Sequence, residues 1–387
     1  MYLNRTECLL GLYIALYLGI PGNGIDEIIG FNLQVILLGL TLLSYIIGPR
    51  PQAIKDGLTA KYVGVQLFFA FAFIISSSLM RDVNYYGTFM NFAQFAVLMF
   101  LMGKVINATN YKAFLQFFVI GCLLNSLLVV GGSALGLHTI NYNGEEEERI
   151  TVIGRDNNES SIIHNISIVI ALFFIREKKR IIINVAAIAL SIITILVTGS
   201  RTGLVICLCV VVMNLILSSK GWKQKLRLLM GSMLLLCGIL YVATQYLDDS
   251  ILERYINIST EVESGTMANR TIIWSHIIDA YGKSSLIEQV LGHGWNTTPL
   301  YTFRGYDAHN VFLKMAIEFG IVGVLVVCAY LMFFVRNAFK RRKSSYGFLL
   351  GGVTACVFLS FMTLSWIYNI IIWIVFLLMH KVIVCTK

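Results

Sequence analysis

The side chains best suited to chemistry lie at the end of a long polar segment. They are Arg304, Asp307, His309 and Asn310. The stretch around them, residues 291–323, reads LGHGWNTTPLYTFRGYDAHNVFLKMAIEFGIVG and continues directly into an apolar helical pattern. A neutral imidazole at the start of such a helix can accept a hydroxyl proton near neutral pH. We therefore predict that His309 is a general base. The other three residues are predicted to bind substrate.

A first candidate anion ligand is Arg201, in the sequence VTGSRTGLV at residues 197–205, a turn of a few residues between two apolar runs. An arginine in a first helical turn opposes the helix dipole, and near lipid its charge costs a few kcal/mol. Its guanidinium either extends to lipid headgroups or points into a cavity. In a cavity its planar fork can bind two phosphate oxygens, which is the interpretation that we favour.

A second arginine, Arg270, belongs to the pattern TMANRTIIWSHIIDAY at residues 266–281. Ile273, Trp274, Ile277 and Ile278 recur there at helical spacing, which predicts an amphipathic helix lying on the membrane. Because Arg270 would share a membrane face with Arg201, the two are predicted to form a diphosphate clamp opposite His309.

A third group of polar residues precedes another apolar run. Residues 136–159 end in Arg155, Asp156, Asn157 and Asn158, where a helix is predicted to begin. A helix N-terminus at a membrane surface suits an anion or a sugar hydroxyl. Arg155, Asn157 and Asn158 are therefore predicted to bind substrate.

The composition indicates how these residues are positioned. The 387 residues are 57% hydrophobic and 13% charged, and the mean hydropathy is +0.76. These values are typical of an all-α, polytopic integral membrane protein rather than a water-soluble domain. Twelve apolar runs approach the roughly 20 residues that cross a bilayer. They are 6–20, 30–48, 59–79, 88–105, 113–135, 160–175, 181–198, 202–218, 228–246, 311–335, 346–364 and 366–380.

The distribution of Lys and Arg predicts the topology, because cytoplasmic loops retain positive charge. Basic clusters such as REKKR at 176–180 and RNAFKRRK at 336–343 fall on one side of the membrane when both termini are cytoplasmic. The predicted organisation is nine spans in residues 1–246, one large outer (periplasmic) loop or cap at 247–306, and three spans in 307–387. The net charge of +9 then reflects topology, so we predict no nucleic-acid partner.

Metal and disulfide chemistry receive little support from the sequence. The eight cysteines lie in or beside apolar runs, and neither they nor the acidic residues of the outer loops have the spacing of metal ligands. We predict no metal and no cofactor. Around the main motif, the sequence GHG at 292–294 predicts a tight turn with His293 exposed, and Lys314 and Glu318 predict an i,i+4 pair.

With these residues identified, the chain resembles the O-antigen polymerase and O-antigen ligase superfamily of bacterial surface-polysaccharide assembly. The resemblance rests on SRTGL at 200–204, the spacing of Arg270 and Trp274, LGxG at 291–294, and HNxxLxxxxExGxxG at 309–323. The last motif is the most specific, and the similarity extends over about residues 200–335. In the first half of the chain only the topology is similar.

The resemblance implies a metal-independent enzyme of the bacterial inner (plasma) membrane whose active site faces the periplasm. Its donor would be a glycan on undecaprenyl diphosphate, with Arg201 and Arg270 on the diphosphate and His309 as base. Further implied partners are the bilayer and the chain-length regulator and flippase of the same pathway. The favoured function is a polymerase of oligosaccharide repeat units, making O-antigen or capsular polysaccharide. The alternatives are an O-antigen ligase that transfers finished chains to lipid A core, and a polysaccharide transporter or flippase.

Overall fold

The computed structural model describes residues 3–20, 32–48, 85–134, 156–218 and 270–386, with residues 223, 226 and 230. Within these residues every regular element is an α-helix or a 3-10 turn, which confirms the all-α prediction for them. The helices are α1 Arg5–Gly19, α2 Leu33–Ile47, α3 Tyr85–Val105, α4 Tyr111–Ala134, α5 Asn157–Arg176, α6 Ile181–Val197, α7 Arg201–Ser218, α8 Arg270–Lys283, α9 Leu286–Leu291, α10 Val311–Lys340, α11 Ser345–Phe361 and α12 Ile370–Cys385. The 3-10 turns are Thr298–Tyr301, Phe303–Gly305 and Trp366–Tyr368.

Each predicted span that falls within the described residues coincides with a helix. The spans predicted at 59–79 and 228–246, and cap residues 247–269, lie outside the described residues, so the count of twelve stays a prediction. In the part of the chain that the structure describes, three helices are long and apolar enough to cross a membrane: Tyr111–Gly131, Asn157–Arg176 and Val311–Lys340. Shorter apolar helices accompany them, and the architecture is that of a membrane protein.

Helix α5 lies at the centre of the bundle, against α4, α6, α7 and α11. Its polar side chains bond between helices, as expected where lipid offers no hydrogen-bond partners. Oδ1 of Asn125 on α4 accepts from the hydroxyl of Ser160 at 3.1 Å and lies 3.0 Å from a ring nitrogen of His164. The amide of Asn125 donates to the carbonyl of Gly19 at 3.2 Å, and the other His164 nitrogen lies 3.1 Å from Ser191 Oγ. One polar cluster therefore joins α1, α4, α5 and α6.

Helix α8 covers the beginning of α10. Ile273 and Ile277 are buried against Ala308 and Ile317, and Nε1 of Trp274 donates to the carbonyl of Ala308 at 2.9 Å. Of the apolar face predicted to lie on the membrane, Ile273 and Ile277 are thus buried against α10, whereas Ile278 is 60% exposed; contact of α8 with the membrane stays a prediction.

Helix α10 is interrupted at Gly320, whose φ of 62° and ψ of −162° are not helical. The carbonyls of Ile317 and Glu318, just before the interruption, accept hydrogen bonds from the chain that follows α9. The donors are the backbone N–H groups of His293 at 2.8 Å and Gly294 at 3.0 Å. The segment 292–294 is thus joined to the broken helix by its main chain.

This junction requires glycine on both sides. A Cβ atom on Gly292 would lie 2.2 Å from the carbonyl oxygen of Glu318, and one on Gly320 would lie 2.3 Å from the carbonyl of Val290. Both glycines have positive φ, which residues with a side chain rarely adopt. The motifs LGxG and ExG are therefore two halves of one contact.

We expect Gly320→Ala to destabilise the protein, because it combines a forbidden backbone conformation, worth about 1–3 kcal/mol, with a steric clash. The matched control is Gly282→Ala on α8, since nothing lies within 4 Å of a Cβ atom there and φ is not positive. Thermal unfolding in detergent should show a lower midpoint for the first variant and an unchanged or higher one for the control. Equal midpoints would contradict the proposed junction.

Candidate active site

The site is built on the first turn of α10, which Asn310 caps. Oδ1 of Asn310 accepts from the backbone N–H groups of Phe312 at 2.9 Å and Leu313 at 3.2 Å. Its Nδ2 donates to the carbonyl of Met362 at 3.4 Å, and its backbone N–H donates to the hydroxyl of Ser365 at 3.2 Å. The structure thus gives Asn310 the role of a helix cap and of a link to the turn after α11.

His309 precedes this cap in a left-handed conformation, with φ of 48°. Such a conformation is uncommon for a residue with a side chain and persists where its surroundings hold it. Here both neighbours are held: the carbonyl of Ala308 accepts from Nε1 of Trp274 at 2.9 Å, and the backbone N–H of Asn310 donates to the hydroxyl of Ser365 at 3.2 Å. The imidazole is therefore carried by a backbone that α8 and α10 fix together.

Asp307 is held by a buried cation from the next turns of α10. Nζ of Lys314 lies 2.9 and 2.8 Å from the two carboxylate oxygens of Asp307. The side chain of Lys314 is 4% exposed, whereas that of Asp307 is 40% exposed. Nζ is also 3.8 Å from Oε1 of Glu318. The predicted pair of Lys314 and Glu318 is confirmed, and Asp307 is a second, closer partner.

Glu318 is fully buried and is surrounded by donors from distant parts of the chain. Its carboxylate accepts from Oγ1 of Thr298 at 2.6 Å and from the hydroxyl of Tyr368. The ring of Tyr368 stacks on Trp295 at 3.8 Å between centroids, and Nζ of Lys314 lies 5.1 Å from the Tyr368 ring centre. A buried charge is tolerated when it is paired and hydrogen-bonded in this way. The network ties the cap to the turn before α12.

His293, which the sequence predicted to be exposed, is largely buried: its side chain is only 10% exposed. Its Nε2 lies 2.7 Å from Oγ of Ser284, and Tyr301 places its hydroxyl 3.0 Å from Nδ1. The Tyr301 ring also packs on the imidazole at 4.5 Å. The prediction was wrong because the cap folds back over the 292–294 turn.

The starts of α5 and α7 form a second polar layer. Asp156 caps α5 by accepting from the backbone N–H of Asn158 at 2.7 Å. Ser200 donates its hydroxyl to Oδ1 of Asn158 at 2.9 Å and accepts from the hydroxyl of Ser161 at the same distance. Arg201 follows Ser200 as the first residue of α7 and is half-buried. The predicted polar patch before α5 and the SRTGL motif are thus brought together.

Electrostatics connects this layer to His309. Burial lowers the pKa of His309 below its usual value of 6.5, and the positive charge of Arg270 lowers it further. Asp307 and Asp156 act in the opposite direction, and Lys314 acts with Arg270. The charges of Arg270 on α8 and of Asp156, the cap of α5, therefore both influence the pKa of the imidazole. Because the pKa is lowered, His309 is neutral at pH 7 and able to accept a proton.

The other predicted site residues have the following positions. Asn157 is the first residue of α5 and is 3% exposed. Arg304 is exposed on the turn Phe303–Gly305, with φ of 58°. Arg155 lies outside the described residues. Within the described part of the chain, no group of three or more His, Cys, Asp or Glu residues could hold a metal ion.

Sequence reasoning missed Thr298 and Tyr368, which donate hydrogen bonds to Glu318, and Trp295, which stacks on Tyr368. Tyr368 is separated from Glu318 by 50 residues and follows an apolar helix, so its spacing carries no signal of contact. The tripeptide WIY at the turn Trp366–Tyr368 is the one local feature that could have marked it, because aromatic residues with a polar end seek a hydrogen-bond partner when they are buried.

A comparison with known families matches residues 186–328 to the family model described as O-Antigen ligase. The matched range holds Arg201, Arg270, His309 and the junction between the cap and α10. No curated protein matches the chain. Together the fold and the match describe a membrane protein in which residues 186–328 are similar to the O-antigen ligase family. The resemblance to the O-antigen polymerase and ligase superfamily is thereby confirmed.

We expect Lys314→Met to destabilise the protein strongly, by about 3–5 kcal/mol, because it leaves the buried Glu318 carboxylate without its cation. The double variant Lys314→Met/Glu318→Gln should recover part of this loss, since it removes both charges. Lys283→Met is the control, because Lys283 forms an i,i+4 pair with Asp279 that is exposed and should matter little. Unfolding in detergent measures all three variants, and a double variant less stable than Lys314→Met would contradict this account.

Proposed function

We propose that the protein is a membrane glycosyltransferase that polymerises oligosaccharide repeat units carried on undecaprenyl diphosphate, on the outer face of the inner membrane. The product would be O-antigen or capsular polysaccharide. The observation that carries the proposal is the position of His309, fixed at the start of α10 with its pKa lowered by burial and by the charge of Arg270, inside the range that matches the O-antigen ligase family. A proton acceptor beside a cation suits transfer from a diphosphate leaving group.

In the proposed reaction a hydroxyl of the acceptor glycan attacks the anomeric carbon of the donor sugar. The bond between that carbon and the diphosphate oxygen breaks, and the electron pair leaves with undecaprenyl diphosphate. His309 takes the hydroxyl proton. Arg201 and Arg270 bind the diphosphate as negative charge develops on it, and Arg304, Asn157 and Asn158 bind sugar or phosphate groups around it. Arg155 is proposed to join this group.

Asp307 and Asn310 have more specific roles in this proposal. Asp307 is partly exposed, so it can meet a sugar hydroxyl while Lys314 fixes its carboxylate. Asn310 uses both ends of its amide on the protein, so its contribution is to hold His309 at the helix start. No step requires a metal ion or a cofactor.

A ligase that transfers finished chains to lipid A core would use the same residues, and the family description favours keeping this alternative. The two functions differ in their products. Deleting the gene and separating the surface polysaccharide on a gel should leave a single repeat on the acceptor if the protein is a polymerase. Loss of all acceptor-bound glycan, with long chains still on the lipid carrier, would instead establish a ligase.

A polysaccharide transporter or flippase is the remaining alternative. Buried ionisable residues within the described helices include His164 at the α5 cluster and Lys381, which donates to the carbonyl of Gly103 at 2.7 Å. Both are satisfied by neighbouring helices, which fits structural roles better than ion coupling. Glycan or proton flux in proteoliposomes without any glycan transfer would overturn the enzyme proposal.

We expect Arg201→Lys and Arg270→Lys each to lose most of the transfer activity, although both retain the positive charge. A lysine lacks the planar fork that binds two phosphate oxygens at once. Arg342→Lys, at the exposed end of α10, is the matched control and should retain full activity. Full activity in both test variants would show that neither guanidinium binds the diphosphate.

We expect His309→Ala to leave binding of the lipid-linked donor largely intact while reducing turnover by about 10²–10⁴-fold, the contribution typical of a general base. His276→Ala, on the exposed face of α8, serves as control. The measurements are donor binding to the purified protein and transfer to an acceptor glycan. Turnover that persists in His309→Ala would exclude the proposed base.

The lowered pKa of His309 predicts the pH dependence of transfer. The neutral form is the base, so activity should be constant near pH 7 and fall as the pH drops through a midpoint below 6.5. Removing the charge of Arg270 in Arg270→Gln should raise the His309 pKa and move the midpoint of the residual activity to higher pH. A midpoint that moves to lower pH would contradict the electrostatic role of Arg270.

A further inference from the structure

Helix α9 exposes most of its apolar side chains. Leu286 is 76% exposed, Ile287 is 72% exposed and Leu291 is 62% exposed. Exposing large apolar side chains to water is unfavourable, by about 25 cal/mol for each Å² of apolar surface. A concentration of exposed apolar surface of this kind marks contact with a partner or a membrane.

The position of α9 along α10 indicates which of these it meets. The end of α9 passes directly against Gly320, and a Cβ atom there would collide with the main chain of Val290. Ile321 follows Gly320, and Leu325 lies one turn further on the same helical face. These two side chains are 43% and 59% exposed. The apolar surface of α9 thus adjoins an exposed apolar strip of a helix that is long and apolar enough to span the membrane.

The depth of this contact follows from the charges of α10. Between residues 317 and 335 the only charged side chain is the buried Glu318, and Arg336 is the first exposed charge toward the other end. About 20 residues of helix cross the roughly 30 Å hydrocarbon core. Counting back from Arg336 places residues 317–320, and with them α9, at the opposite boundary between headgroups and acyl chains.

We propose that α9 is a short interfacial anchor that inserts Leu286, Ile287 and Leu291 among the acyl chains of the bilayer, in the leaflet at the N-terminal end of α10. Its polar residues fit this placement. Ser285 and Glu288 form a capping box at the start of the helix, so their polar groups satisfy each other at the headgroup level. This inference does not depend on the reaction that the protein catalyses.

The anchor has a consequence for the site. Because His293 and Gly294, which follow α9, bond to the carbonyls of Ile317 and Glu318, the depth of α9 in the leaflet sets the height of the cap. The same cap holds Ala308, the residue just before His309, through Trp274. The depth of α9 in the membrane therefore determines the height of His309 relative to a substrate in the same leaflet.

Photo-crosslinking of the full-length protein in vesicles of phosphatidylethanolamine and phosphatidylglycerol tests the anchor. p-Benzoylphenylalanine is placed in turn at Leu286 and Ile287. The control position is Asp279 on α8, whose side chain is also well exposed, at 63%, but polar. We expect roughly tenfold more lipid adduct, measured by mass spectrometry, at the two α9 positions than at the control, as for an interfacial helix.

Two results would overturn the proposal. Adducts from α9 to a second copy of the chain would identify the surface as a protein interface. Equal lipid labelling at Asp279 and at the α9 positions, or none at either, would show that α9 does not insert into the bilayer. Glycan transfer is not the readout, so a failure here remains distinguishable from a failure of the proposed function.

Discussion

The structure depends on how the main chain of α10 is satisfied where the helix is interrupted. Near the hydrocarbon region an unbonded carbonyl is costly, so a break is tolerated only where another part of the protein supplies donors. The cap supplies them, through the N–H groups of His293 and Gly294 on the carbonyls of Ile317 and Glu318. The cap and α10 are therefore joined by main-chain hydrogen bonds. The helix start, and with it His309, is then held from both sides.

Buried ion pairs support the same region of α10. Lys314 is a buried cation between Asp307 and Glu318, and Glu318 in turn accepts from Thr298 and Tyr368. A buried ion of either sign alone would be strongly destabilising, whereas the satisfied set is rigid and specific to this arrangement. It joins α10, the cap and the turn before α12 at the base of the site. A candidate site supported in this way is pre-organised, which suits the proposed transfer.

In the proposed reaction, the polar layer at the starts of α5 and α7 and the one at the start of α10 would bind different substrates. The layer at the starts of α5 and α7 offers Arg201 and helix N-terminal groups, which suit the anionic donor. The layer at the start of α10 offers a neutral imidazole and a fixed carboxylate, which suit an uncharged sugar hydroxyl. Arg270 acts on His309 from α8, so its charge both favours the anion and keeps the base neutral. The chemistry therefore lies at one end of the helical bundle.

The sequence by itself determined the features that depend on the local pattern of residues. Apolar runs of span length predicted the helices that the structure describes, and residue type selected Arg201, Arg270 and His309 as candidates for the proposed chemistry. The tertiary structure decided what depends on contacts between distant segments. It buried His293, packed Ile273 and Ile277 of α8 against α10, and set Tyr368 against Glu318. The physical reason is that apolar periodicity reports that a face is buried but is silent about which surface covers it. The hydrogen bond between Tyr368 and Glu318 joins residues 50 positions apart, and such a separation produces no recognisable pattern in the sequence.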